Sequence, residues 1–211
     1  MTLRTVMLML ALVVAGWGVG QLVQRAMPIG RDLSGDPAAR AIIADRASPR
    51  EAAGGADLVM VVFTDYRCPA CRTAAPAMEA AVRADGRVTL IYKDWPIFGA
   101  PSVAAARVAL ATVPQGLYGA VHRALMAERR PLNDAVLIDV VVQAGGDADR
   151  LRRDLARHGA AIDAQLTTNA RQAAALGLPG TPAYLIGPVL VVGALDADGF
   201  ARAFAAARAA G

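Results

Sequence analysis

An apolar strand that runs into two closely spaced cysteines constrains this chain more than any other feature of its sequence. The run Leu58–Phe63 is continuously apolar and rich in valine, which is typical of a strand buried on both faces of a sheet that helices cover. The short loop Thr64–Arg67 follows, and the motif Cys68–Cys71 (Cys-Pro-Ala-Cys) then opens a helix-forming stretch that ends near Asp85. The pattern predicts two thiols at the start of a helix, directly after a buried strand.

Cys68 and Cys71 are the only cysteines among the 211 residues. A loop this short restricts the unfolded chain little, so a bridge between them would stabilise the fold little. Two thiolates also fall short of the four ligands of a structural zinc site. A redox pair is therefore the favoured interpretation. Two inert buried cysteines, or half of a zinc site shared by two chains, are the alternatives.

The redox interpretation divides the work between the two sulfurs. Pro69 suits the first helical position, where its missing N–H leaves nothing unpaired. Cys68 then lies at the helix N-terminus beside Arg67, and the helix dipole favours its thiolate. We expect Cys68 to be the exposed sulfur that exchanges with a partner. Cys71, about one turn further in, is expected to be the shielded sulfur that resolves the mixed disulfide.

The basic charge of the chain does not by itself indicate a nucleic-acid partner. Lysine and arginine total 22 against 18 acidic residues, which gives a formal net charge of +4. The arginines are scattered along helical stretches opposite acidic residues, and aromatic residues make up only 5% of the chain. This pattern argues against nucleic-acid binding. A moderately basic surface favours a nearby membrane or acidic partners instead.

The N-terminal residues 1–27 are predicted to be a signal peptide or a membrane anchor rather than part of the core. After Arg4 the stretch from residue 5 to residue 24 carries no charge, and about twenty apolar residues are enough to span a bilayer. The anchor is favoured, because Gly18-Val19-Gly20 is a poor cleavage site. Arginines lie on both sides of the stretch and leave its orientation open. Either interpretation predicts a domain outside the cytoplasm, in the periplasm or its equivalent, where disulfide chemistry belongs.

The rest of the chain reads as a linker at 28–56, with a possible short helix near Ala38–Arg46, and one domain at 57–211. A second strand is predicted at Arg87–Tyr92, a helical block at about 101–176, a strand hairpin from residue 183 to residue 192, and a final helix that Asp196 caps. Breaks in the helical block are expected at Pro114–Gly116, Arg130–Asn133, Gly145–Gly146 and Gly159. This order predicts an α/β fold: a mixed sheet with helices on both faces and a helical insert.

Three segments together resemble the DsbA-like branch of the thioredoxin superfamily. They are Phe63–Cys71, Lys93–Ser102 and Gly180–Pro182, and the resemblance extends over roughly Asp57–Ala210. Pro76 matches a helix-kinking proline that is common in the superfamily. The resemblance implies a thioredoxin fold with a helical insertion between the second strand and a cis-Pro hairpin. It also implies a cis bond between Thr181 and Pro182, facing Cys68, with the Thr181 backbone free to pair with a substrate strand.

One position departs from the family pattern. Many thioredoxins carry a buried carboxylate six residues before the first cysteine, where it assists proton transfer from the inner thiol, and here that position is Val62. Asp65 is nearer to Cys68 in the sequence. It either assists proton transfer in a related way or caps the turn, and the turn-capping role is favoured. His122 is assigned to packing or to the surface, and Trp95 and Tyr118 are assigned to the core. His158, just before Gly159, is expected at a helix end, where its charge complements the dipole.

The resemblance implies a protein disulfide oxidoreductase that uses no cofactor beyond the Cys68–Cys71 disulfide and no metal. Oxidation of dithiols is the favoured direction, although Pro-Ala between the cysteines matches neither the Pro-His of strongly oxidising members nor the Gly-Pro of thioredoxins. A membrane-tethered reductase, an isomerase, and a non-catalytic chaperone or metal-handling module are the alternatives. The expected partners are cysteine-containing exported proteins and a membrane protein that recharges the pair. The chain is expected to be a monomer that does not bind nucleic acid.

Overall fold

A computed structural model describes residues 3–26 and 29–210, and it shows a mixed sheet of six strands between helices. In chain order the strands are β1 (Arg31–Asp32), β2 (Arg50–Glu51), β3 (Leu58–Thr64), β4 (Val88–Asp94), β5 (Ala183–Ile186) and β6 (Val189–Val192). The helices are α1 (Leu3–Ala26), α2 (Pro37–Ile43), α3 (Pro69–Asp85), α4 (Ala100–Ala111), α5 (Tyr118–Ala127), α6 (Asp134–Gln143), α7 (Ala148–Ala175) and α8 (Ala197–Ala210). A 3-10 turn at Val113–Gln115 separates α4 from α5.

The sheet order is β1-β6-β5-β3-β4-β2, with β3 parallel to β4 and the other neighbours antiparallel. The predicted order of strand, helix, strand, helical block, hairpin and helix is confirmed. The prediction of a helix from Pro69 to Asp85 is confirmed as well, because Cys68 caps its first turn and Gly86, at φ 69°, ends it in the left-handed conformation.

The central strand β3 separates two hydrophobic cores. Met60 and Val62 point to one face, which α3, α4, α5 and α8 cover. Val61 and Phe63 point to the other face, which α2 and the end of α7 cover. This burial on both sides explains why the strand is continuously apolar instead of alternating. The two cysteines lie on the first face.

The segment 28–56 was predicted to be a linker, and for the described residues 29–56 this prediction is wrong. The segment adds β1 to β6 and β2 to β4, one short strand at each edge of the sheet. Helix α2 lies between β1 and β2 in the sequence, and it buries Ala39 and Ile42 against the face of the sheet to which Val61 and Phe63 point. Strands of two residues carry no periodic pattern, so only pairing with a finished sheet edge forms them.

Helices α4 to α7 form the predicted insert between β4 and β5, and three of the four predicted breaks are confirmed. The break at Gly159 is wrong, because α7 continues through it, and His158 therefore lies inside a helix rather than at its end. A single glycine costs an α-helix only about 1 kcal/mol. At this position a β-carbon would lie 3.2 Å from the guanidinium of Arg107 in α4, a contact that a small movement of this flexible side chain would relieve.

Helix α1 contains the predicted anchor, and most of its described side chains are exposed. Within residues 3–26 and 29–210, no helix has both the length and the apolar character that crossing a bilayer requires. The anchor prediction for residues 5–24 is therefore not confirmed. Residues 1, 2 and 27 of the predicted N-terminal segment, residue 28 of the predicted linker and residue 211 of the predicted domain lie outside the described residues.

Candidate functional site

Two free thiols lie in the first turn of α3, where the chain leaves β3. Cys68 is the N-cap residue, with an extended backbone, and Pro69 occupies the first helical position. The sulfur of Cys68 accepts a hydrogen bond from the backbone N–H of Cys71, with 3.4 Å between the two atoms. A sulfur thus satisfies one of the N–H groups that a helix N-terminus leaves unpaired, and the same N–H can stabilise negative charge on that sulfur.

The loop before β5 faces the two thiols. The bond between Thr181 and Pro182 is cis, as the resemblance predicted. The thiol of Cys68 donates a hydrogen bond to the carbonyl oxygen of Thr181, at 3.3 Å, across 113 residues of sequence. The carbonyl of Pro182 accepts from the backbone N–H of Gly193 just after β6, at 2.9 Å, which attaches the loop to the hairpin. The structure therefore brings all four predicted redox and loop residues together.

The expectation that Cys68 is exposed is wrong in this dithiol state. Cys68 is 3% exposed and Cys71 is 2% exposed. The sulfur of Cys68 is covered because it turns toward the Thr181 carbonyl, although its neighbours Arg67, Pro69 and Ala70 are exposed. A single hydrogen bond donated by a thiol is weak, so a partner that displaces the Thr181 carbonyl reaches Cys68 at modest cost.

Cys71 is held as a neutral thiol. Burial raises the pKa of Cys71 from its usual value of 9.0 to about 12, since a thiolate loses its hydration there. At neutral pH the group is protonated almost completely, and it cannot attack a partner as a thiolate. The two sulfurs therefore differ in position, with Cys68 at the N-cap and Cys71 inside the first turn of α3, and not in the exposed area that the sequence suggested.

Asp65 caps the turn that leads into the motif. Its side chain is buried and accepts from the backbone N–H of Arg67 at 2.7 Å and from the hydroxyl of Ser102 at 2.7 Å. The backbone N–H groups of Ile97 and Phe98 donate to its other oxygen at 2.6 and 3.1 Å. One carboxylate thus joins the turn before Cys68 to the loop after β4 and to α4. These contacts favour the turn-capping interpretation over proton transfer.

Replacing Asp65 by alanine is expected to lower the free energy of unfolding by about 3–5 kcal/mol, because buried donors lose a charged acceptor. Urea unfolding at neutral pH measures this. Asp149→Ala, on an exposed helical position with 74% of its side chain accessible, is the matched control, and about 0.5 kcal/mol or less is expected there. Unchanged stability of Asp65→Ala together with slow release of mixed disulfides would instead indicate the proton-transfer role.

Arg67 connects the motif to the same loop. Its guanidinium is exposed and donates to the carbonyl oxygen of Phe98 at 3.0 Å. Ile97 and Phe98 are themselves more than 40% exposed. A β-carbon on Gly180, just before the cis-Pro bond, would lie 4.0 Å from Ile97. The thiols are therefore bordered by a cation on one side and by apolar surface on the other.

A buried cluster of three tyrosines, one histidine and one aspartate lies beside the cysteine motif. Sequence reasoning missed the aspartate, Asp94. The cluster comprises Tyr66, Tyr92, Asp94, Tyr118 and His122. The hydroxyl of Tyr118 donates to both carboxylate oxygens of Asp94, at 3.1 and 3.0 Å. The hydroxyl of Tyr66, two residues before Cys68, lies 3.0 Å from Nδ1 of His122. Rings of Tyr92 and Tyr118 pack against the imidazole, with centroids 4.6 and 5.9 Å away.

Asp94 is opposite Thr64 in the register of β3 and β4, so both side chains point to the face that carries the cysteines. Burial raises the pKa of Asp94 to about 7, although hydrogen bonds from Tyr118 and Tyr66 oppose the shift. Burial likewise lowers the pKa of His122 to about 3. The signal that was available was an acidic residue at the end of a mainly apolar strand. Tyr118 is buried, as its assignment to the core predicted, and Trp95 is only partly buried. Of the two alternatives for His122, packing or the surface, the structure shows burial.

A family model described as "DSBA-like thioredoxin domain" matches residues 59–205. Among solved structures, a thioredoxin-like oxidoreductase from Silicibacter pomeroyi is 34% identical, with a TM-score of 0.74 over 79% of this chain and 95% of that one. The thiol-disulfide exchange protein alpha-DsbA2 from Wolbachia pipientis is 27% identical, with a TM-score of 0.72 over 75% and 86%. A periplasmic thioredoxin-like protein from Salmonella enterica is 31% identical, with a TM-score of 0.67 over 83% and 97%.

One curated relative is named as an ion antiporter and not as an oxidoreductase. It is the Na(+)/H(+) antiporter NhaA 1 of Mycolicibacterium vanbaalenii, 29% identical over 157 residues, which are 72% of this chain and 25% of that protein. The chain spans about a quarter of the length of the curated relatives it matches first.

Proposed function

The chain belongs to the family of DSBA-like thioredoxin domains and is a thiol–disulfide oxidoreductase, and from this premise we propose that it oxidises dithiols of exported proteins through Cys68 and Cys71. One observation carries the proposal. The sulfur of Cys68 lies between the backbone N–H of Cys71, in the first turn of α3, and the carbonyl of Thr181. A nucleophilic sulfur, a resolving sulfur and a backbone site for a substrate strand thus coincide.

The proposed reaction begins with the Cys68–Cys71 disulfide. A substrate thiolate attacks the sulfur of Cys68, the bond between the two cysteines breaks, and Cys71 leaves and takes up a proton. A second substrate thiolate then attacks the substrate sulfur of the mixed disulfide and releases Cys68. The substrate gains a disulfide, and its two electrons remain with the Cys68–Cys71 dithiol. A membrane redox partner is proposed to remove these electrons and restore the disulfide.

The oxidising direction is favoured by the contacts of the dithiol form. The Cys68 sulfur both donates to the Thr181 carbonyl and accepts from the Cys71 N–H. A disulfide has no S–H to donate, so closing it removes the contact with Thr181. Stabilising the reduced form makes a dithiol pair a stronger oxidant.

Equilibration with glutathione buffers of known ratio tests the direction. We expect a reduction potential for the Cys68/Cys71 pair above about −200 mV, on the scale where thioredoxin lies near −270 mV. Oxidative refolding of a reduced protein by the disulfide form should then be faster than insulin reduction by the dithiol form. A potential below about −250 mV, with efficient insulin reduction, would assign the chain to the reducing direction.

We also propose that the domain works outside the cytoplasm. The uncharged N-terminal stretch at residues 5–24 and the periplasmic relative with a similar structure support this location. A reporter that is active only after export, fused to the domain, tests the location, and an inactive reporter would refute it. No ion-transport activity is proposed, because the antiporter names describe proteins of which the match covers about a quarter.

A further inference from the structure

A groove with basic walls begins at the cysteine motif and runs along α3. Its volume is about 580 Å³. Three arginines and three apolar residues are the lining residues on which the binding argument depends. The arginines are Arg67, Arg72 and Arg129, and the apolar residues are Pro69, Pro76 and Met126.

The helix geometry places one wall of this arginine groove next to the reactive sulfur. The backbone N–H of Arg72 donates to the carbonyl of Cys68, at 3.1 Å, so Arg72 is one turn beyond Cys68 on the same side of α3. Pro76 follows after one more turn. Arg67 flanks Cys68 on the other side, and Arg129, just after α5, forms the facing wall together with Met126.

Among the residues that the structure describes, no carboxylate pairs with the arginines of the groove. No carboxylate of the described residues lies within ion-pair distance of Arg67, Arg72 or Arg129, and none of the lining residues is acidic. Glu128, the carboxylate next in sequence to Arg129, is engaged by Arg130. Unpaired cations in a concave surface with low-dielectric walls attract anions more strongly than isolated surface charges do.

We propose that the arginine groove binds acidic side chains near the reactive cysteine of the protein partner, so that exchange at Cys68 selects negatively charged segments. The proposal rests on the proposed function, because it concerns the partner of the same sulfur. From Cys68 to Pro76 the helix rises about 12 Å. An extended chain covers that distance in about four residues. The carboxylates that matter should therefore lie within about four residues of the partner cysteine.

A single-step exchange assay tests the proposal. Three peptides carry one cysteine, activated as its disulfide with pyridine-2-thiol and flanked on both sides by aspartates, serines or lysines. Cys68 of the full-length Cys71→Ser protein attacks the peptide sulfur, the Cys68–peptide disulfide forms, and pyridine-2-thione leaves and is read by its absorbance. Each rate constant is divided by the rate constant of the same peptide with a small free thiol, which removes the effect of flanking charge on intrinsic reactivity.

We expect the aspartate peptide to react at least about 10-fold faster than the lysine peptide at low ionic strength. The ratio should fall to about 2 in 0.5 M salt, where charges are screened over a few ångströms. Arg72→Glu combined with Arg129→Glu should reverse the order of the peptides. Arg129 lies outside the helices, so Arg129→Glu alone is the variant with the smaller structural change. It should lower the ratio of the aspartate-peptide rate to the lysine-peptide rate.

The matched control carries the same charge change at a remote site. Arg153 and Arg157 are exposed on α7 and have no carboxylate within ion-pair distance among the described residues, so Arg153→Glu with Arg157→Glu should keep the ratio of the parent protein. Equal rates for the three peptides, or an equal drop of the ratio in this control, would overturn the proposal. Failure of all three peptides to react would instead overturn the proposed function of Cys68.

Discussion

Replacing Cys68 by serine is expected to lower the rate of thiol–disulfide exchange at least about 1,000-fold, because a serine hydroxyl is a poor nucleophile at neutral pH and burial keeps the remaining thiol, Cys71, protonated. Cys71 cannot take over the attack. With its pKa raised to about 12 by burial, only about one molecule in 10⁵ carries the Cys71 thiolate at pH 7. Consumption of a peptide disulfide by the reduced protein, at pH 7 and with excess peptide, measures the effect.

Cys71→Ser is the matched control, because it changes the same atom in the same turn at nearly equal burial. It should keep the first exchange step, which Cys68 performs, and lose the second. Mixed disulfides between this variant and its substrates should therefore accumulate and should be visible on non-reducing gels. If Cys68→Ser retained the first step, or if Cys71→Ser lost it to the same extent, the assignment of roles to the two sulfurs would be wrong.

Asp94 and His122 are expected to give the folding stability two opposite dependences on pH. The pKa of Asp94 is raised to about 7 in the folded protein, so its contribution is present at pH 4 and is lost as the pH rises to 7. The pKa of His122 is lowered to about 3, so its contribution is present at pH 7 and is lost as the pH falls to 4. Each residue contributes about 4 kcal/mol to the free energy of unfolding, at 1.4 kcal/mol per unit of pKa shift. The two pH dependences have opposite signs and largely cancel in the parent protein.

Single substitutions should uncover these contributions. The free energy of unfolding of Asp94→Asn, measured with urea from pH 4 to pH 7, should rise with pH relative to the parent protein. That of His122→Phe should fall with pH over the same range. The difference from the parent removes the titration of all the other groups, and the double variant should show neither slope. Slopes of the same sign would refute the assignment of a protonated Asp94 and a neutral His122 to the folded state.

The first helix of the site was predictable because its signals are local. A continuous apolar run indicated the buried strand β3. Pro69 and Gly86 mark the start and the end of α3 through their own backbone preferences. The three-part resemblance anticipated the cis bond before β5. The edge strands could not be predicted in this way, because Arg31–Asp32 and Arg50–Glu51 pair with the sheet without a pattern of their own.

Side chains whose partners are distant in sequence were harder to assign. Asp65 was recognised as a turn residue, but its acceptance of hydrogen bonds from Ile97, Phe98 and Ser102 depends on how β4 and α4 pack. Asp94 was not singled out at all, since only the parallel register of β3 and β4 places it beside the motif. Tertiary packing buries its carboxylate, and this burial is what changes its protonation.

By itself the sequence determined that two thiols open a helix at the end of a buried strand, because apolar continuity, proline and glycine act on the backbone over a few residues. Only the tertiary structure decided how each thiol is surrounded. A carbonyl 113 residues away covers Cys68, the packed core keeps Cys71 protonated, and α5 closes a groove of arginines beside them. Burial, hydrogen bonding and charge at these sulfurs are properties of contacts between distant segments, and such contacts exist only once the sheet and the helices have assembled.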